Sequence, residues 1–79
     1  MMSTTKFPVD YFLTTSNIYI PITEAGYLNG CQLGLGETIA FASGTDSRGY
    51  TIQAVYRVSG IADDPERGVV AELHYIGQS

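Results

Sequence analysis

Apolar residues along this chain recur at every second position, the spacing of a strand with one buried face. The run Tyr50 to Ile61 shows it most fully. Tyr50, Ile52, Ala54, Tyr56 and Val58 fall on one side, and Thr51, Gln53, Val55, Arg57 and Ser59 on the other. Val69, Ala71, Leu73 and Tyr75 alternate in the same way with Val70, Glu72, His74 and Ile76. Ile39 and Phe41 mark a shorter strand over Thr38 to Ser43, and Ile18, Ile20 and Ile22 mark another over Asn17 to Ile22. Near the start, Phe7, Val9, Tyr11 and Leu13 alternate with Pro8, Asp10, Phe12 and Thr14. No segment sustains a convincing helical period. The pattern predicts a mainly β fold: a small five-stranded antiparallel barrel or strongly bent sheet, SH3-like or OB-like in size.

The joints between these runs refine the expectation. "SGTDSRGY" and "ADDPERGV" are polar and turn-rich, so each reads as a hairpin connection. In the second hairpin, matching apolar face to apolar face sets an even-numbered residue opposite an odd-numbered one. One register pairs Tyr56 with Tyr75 and Arg57 with His74. The other pairs Arg57 with Glu72 and Tyr56 with Leu73; it sets opposite charges across the ladder and leaves a longer loop around Pro65, and is preferred.

The stretch "GYLNGCQLGLGE", Gly26 to Glu37, holds four glycines. Asn29-Gly30 suits a type I′ turn, in which both central residues need positive φ, with Leu28 facing Cys31 and Tyr27 facing Gln32. An irregular loop is the looser form of the same reading, and the competing one is a short helix around residues 23–33 capped by Thr23. Against it, Gly26 and Gly30 each cost such a helix about 1 kcal/mol relative to Ala. A phosphate loop is excluded: the Lys and hydroxyl of a P-loop are missing, and Ile39 stands where a dinucleotide fingerprint has its third Gly. Glu37 would also repel a phosphate there.

Seventy-nine residues make one domain, taken as residues 7–79 behind a flexible tail of residues 1–6. The net charge is −4, and the four basic residues Lys6, Arg48, Arg57 and Arg67 are scattered, which argues against direct nucleic-acid binding. Cys31 is alone, so no internal disulfide forms. With no signal-peptide pattern and no window long enough to span a bilayer, a cytoplasmic location without membrane association is expected.

Chemistry-bearing residues are sparse. His74 is the single histidine; with Glu72 on its face and Arg57 opposite, the three offer the parts of a proton-transfer cluster. A surface strand with a cross-strand ion pair is the plainer reading. One His, one Cys and dispersed carboxylates do not make a metal site. No catalytic residue, cofactor or metal is expected, and the chain is not expected to be an enzyme.

The tyrosines carry more information. Tyr50, Tyr56 and Tyr75 lie on the apolar faces of their strands and read as core. Tyr19 and Tyr27, with Phe12, Val55, Val70 and Ile76, form a second apolar face that a chain this small cannot also bury. Tyrosine suits protein interfaces because it joins a large apolar area to a hydroxyl with few rotatable bonds. The expectation is a non-enzymatic protein-interaction domain with a surface including Tyr19, Tyr27, Arg57, Glu72 and His74. Its protein partner is unidentified, and self-association as a homo-oligomer is its simplest use. The compact, acidic character is similar in style to small phage or mobile-element proteins, for which inhibition of a host protein is one purpose. A small-ligand-binding β-barrel and a virion assembly component are the alternatives.

Overall fold

Three of the alternating runs become long strands where the pattern is most regular, and the shorter ones break where a turn residue intervenes. The computed structural model describes residues 5–78 and contains strands and turns but no helix among them. Chain order is β1 (Phe7–Val9), β2 (Tyr11–Leu13), β3 (Tyr19–Pro21), β4 (Cys31–Leu33), β5 (Thr38–Thr45), β6 (Thr51–Asp64) and β7 (Gly68–Gln78). Five strands form one curled sheet, a half-barrel in the order β3-β2-β7-β6-β5, while β1 and β4 pair separately. Of the expected flexible tail, residues 1–4 lie outside the described residues; Lys6 forms an ion pair with Glu37 at 3.4 Å.

The mainly β, five-stranded reading holds, with two corrections to its geometry. The sheet is mixed, because β2 runs parallel to β7, Tyr11 beside Val70 and Leu13 beside Glu72. The first run is also two strands. A bend at Asp10 separates β1, which pairs with β4, from β2, which pairs with β3 and β7. That bend resets the alternation, so Val9 and Phe12 both enter the core, at 2% and 0% exposure. Asp10 has a structural task at this point. Its N–H donates to the Val69 carbonyl (2.8 Å), and its carboxylate accepts the Val69 N–H (3.0 Å).

The core joins Val9 and Leu33 from the β1–β4 pair to Phe12, Ile22, Ile39, Phe41, Val58, Ala71 and Leu73. Rings dominate it. Phe12 stacks on Phe41 (5.6 Å between centroids, 4° between planes), Phe41 on Tyr56 (5.0 Å, 15°), and Tyr75 meets Tyr56 edge-on (5.6 Å, 68°). Of the three tyrosines expected in the core, only Tyr56 is drawn into it. Tyr50 is 67% exposed beside the β5–β6 turn, and Tyr75 is 43% exposed at the open end of the ring series.

The β6–β7 hairpin takes the other of the two registers, with Tyr56 opposite Tyr75 and Arg57 opposite His74. The preferred Arg57–Glu72 pairing fails because the turn is short. Asp64 accepts the N–H groups of Glu66 (2.8 Å) and Arg67 (3.0 Å), and Asp64 then pairs with Gly68 across a three-residue loop. Those two N–H groups hold the Asp64 carboxyl below its usual 3.8, with Arg67 adding to the effect. The group is thus a carboxylate in the fold above that value, and the turn loosens as pH falls through the depressed one. A register shift between Val58 and Gly60 leaves Ser59 as a bulge residue and sets Glu72 over Gly60.

The glycine stretch is an irregular loop up to Gly30, and neither the Asn29-Gly30 hairpin nor the helix forms. Residues 23–33 hold no helix, and Cys31–Leu33 pairs with β1 instead of folding back on Tyr27. The Gly30 N–H donates to the Tyr27 carbonyl (3.3 Å), so Leu28 and Asn29 are the central residues. Gly30 takes a positive φ and Asn29 does not, which is the type I preference for Gly at the fourth position.

Candidate functional site

A half-barrel has less interior than a closed one, and the strand ends beyond its core leave apolar side chains facing water. On β6 and β7, Ile61 and Val69 follow the inner-face sequence past the Ser59 bulge, where the core thins, and both are half-buried. Phe7 opens β1, a three-residue strand paired only with β4, and is 42% exposed. Leu35 sits on the turn between β4 and β5 and is 59% exposed. These four, with Ala62 and Asp63, line one surface groove of about 240 Å³.

The turn that presents Leu35 is held from both sides. Glu37 accepts the Gly34 N–H, the Gly36 N–H donates to the Val58 carbonyl (2.9 Å), and Val58 N–H donates to the Glu37 carbonyl (2.8 Å). Gly36 adopts φ 83°, a conformation that favours glycine. The amides of Gly34, Gly36 and Glu37 are thus spent on the fold.

Charge at the groove is one-sided. Lys6, next to Phe7, is engaged by Glu37 (3.4 Å). Arg67 is engaged by Asp64 (3.6 Å), and its guanidinium lies 3.8 Å from the centroid of the Tyr19 ring. Asp63, in the groove lining, has no ion-pair partner among the described residues.

The residues expected to form an interaction surface divide into two groups. Tyr19, Glu72, His74 and Arg57 share the outer face of the sheet. Tyr19 pairs with Leu13, Leu13 lies beside Glu72, and His74 pairs with Arg57. All four are exposed. They form a polar surface in which no Arg57–Glu72 ion pair occurs. Tyr27 is not part of it. Its ring meets Phe12 edge-on (5.8 Å, 83°) and its hydroxyl donates to the Ala40 carbonyl (3.0 Å). Burial, then the neighbouring Cys31, raises the Tyr27 hydroxyl above its ordinary value. Burial and Glu37 likewise push the Cys31 thiol up, which lowers its thiolate fraction and its reactivity. A second hollow of about 390 Å³ lies by Cys31, Asp10 and Ile22, where the Asp10 carboxylate already serves Val69.

Tyr27 guards a sheet edge. Since the Glu37 carbonyl faces β6, alternation turns the Ala40 carbonyl away from β6, toward the open side of β5. The Tyr27 hydroxyl caps it there, and a register shift after Ala42 distorts the rest of the edge. The opposite edge, β3, is three residues long and ends in Pro21. Both edges of the five-stranded sheet are thus blunted against pairing with another strand. Removing only the hydroxyl, by Tyr27→Phe, should cost about 1 kcal/mol. Urea unfolding should show a lower midpoint at unchanged slope; an unshifted midpoint would remove the capping role. No family model, curated protein or solved structure matches this chain.

Proposed function

We propose that this chain is a non-enzymatic protein-interaction domain whose primary contact surface is the Phe7–Leu35 groove. The observation that carries the reading is the convergence of two exposed large apolar side chains, from separate elements, on a groove floored by Ile61 and Val69. A small domain gains nothing in stability from leaving Leu35 at 59% exposure. Catalysis has little to support it: His74, Arg57 and Glu72 stand on the outer sheet face, outside both hollows. The groove is also smaller than the roughly 300–1,000 Å³ of sites that enclose small molecules, which favours a side-chain occupant.

Self-association belongs to the same reading as a second use, through Tyr75 and Ile76, each 43% exposed, near the far end of β7. Inhibition of a host protein, carried by a phage or mobile element and exerted in the cytoplasm, is the setting we propose for it. Affinity capture from the source cells tests the partner-binding part. The unaltered chain should retain a partner that the Phe7→Ser/Leu35→Ser variant loses at least tenfold. Equal retention by the two would defeat the groove as the contact surface. Sedimentation velocity at micromolar concentration tests the second use, and a monomer throughout would remove self-association alone.

A further inference from the structure

We infer that the groove accepts an apolar side chain from a partner segment carrying Lys or Arg beside that side chain; this deepens the reading above and rests on it. The apolar half of the recognition follows from the lining: Phe7, Leu35, Ile61 and Val69 surround a hollow of about 240 Å³ that suits one or two buried side chains. The charged half follows from which groups nearby are already neutralised. Lys6 is paired with Glu37 and Arg67 with Asp64, so each of these cations already has a carboxylate beside it. Asp63 lines the groove without an ion-pair partner among the described residues, and the chain carries net charge −4. A cation arriving next to the anchoring side chain finds an unpaired carboxylate and a favourable overall field, whereas an acidic segment meets repulsion from both. A second copy of this chain is disfavoured in the groove, because it brings the same net negative charge and the same Asp63.

The occupant is therefore a basic segment with an apolar anchor on another protein. A labelled peptide with a central leucine flanked on each side by two lysines is a direct probe, read by fluorescence anisotropy against the full chain. Two counterparts complete the set, one with glutamates for the lysines and one with alanine for the leucine. The lysine–leucine peptide should bind, each counterpart should bind at least tenfold more weakly, and added salt should weaken binding. Asp63→Lys and Leu35→Ser should each weaken binding roughly tenfold, the first for the charge and the second for the anchor. Both positions are exposed, and circular dichroism of the two variants confirms that each is folded. Equal binding of the glutamate peptide, or binding that both variants leave unchanged, overturns the inference. So does absence of binding, even where capture from cells still yields a groove-dependent partner, an outcome that keeps the broader reading and rejects the basic segment.

Discussion

Phe12→Ala should remove about 3–5 kcal/mol, a third or more of the stability this chain can have. Phe12 is fully buried, lies on the central parallel strand pair, and contacts Tyr27 edge-on and Phe41 face-on. Removing a buried Phe ring costs about 3–5 kcal/mol through lost transfer energy and the cavity left behind. A domain of this length has only about 4–12 kcal/mol in total, at the usual stability per residue. The two ring contacts place the loss toward the upper end of that range, and Tyr27 loses its support for capping Ala40. Phe12→Leu keeps most of the volume and should fall well short of that loss. Urea unfolding of the pair checks this, and a Phe12→Ala loss under about 1 kcal/mol would show that Phe12 is not the centre of the core.

Gly68→Ala should be the most damaging glycine substitution. Gly68 adopts φ 92° where the short Asp64–Gly68 turn re-enters the sheet, and an alanine there pays about 1–2 kcal/mol for the left-handed conformation. An added Cβ would also collide with the Asp10 carboxylate, whose hydrogen bond to the Val69 N–H starts the parallel β2–β7 ladder. Displacing Asp10 forfeits a charge-assisted bond, for a combined loss of about 2–4 kcal/mol. Gly49 is the matched comparison. Its φ is 85°, but nothing lies within 4 Å of a Cβ built there. Gly49→Ala should thus cost only the conformational part. Thermal unfolding should separate the two variants by roughly 5–15 °C. The gap should close in the Asp10→Ala background, because neighbouring sites do not add. Equal melting of the two single variants would deny Asp10 its role.

The Asp10 contact also marks where sequence reasoning stops. β5, β6 and β7 are legible because each alternates over many residues and meets its neighbour through a polar turn. The parallel β2–β7 pairing leaves no such trace, since Tyr11 and Val70 lie far apart and period two is the same in parallel and antiparallel strands. Asp10 resets the alternation by one residue, which is why Phe12 reads as outward from the pattern yet lies at the centre. The Ser59 bulge does the same on β6 and sets Gly60, not Ser59, opposite Glu72. Tyr27 reads from the sequence as facing Gln32 and exposed for a partner; its bond to Ala40 depends on the segment after β3 crossing to the other edge of the sheet. The groove was the least visible feature. Phe7, Leu35, Ile61 and Val69 come from four different parts of the chain, and only the chain's path brings them together.

The claim that the groove, and not the polar outer face, meets the partner can be tested by site-specific photo-crosslinking in the source cells. One form of the protein carries a photoreactive residue in place of Leu35, and a second carries it in place of His74 on the outer face. Both positions are exposed, so neither replacement should disturb the fold. The account predicts a partner adduct from position 35 and little or none from position 74. An adduct from position 74 alone would contradict it and return the contact to the face that carries Tyr19, Arg57 and Glu72.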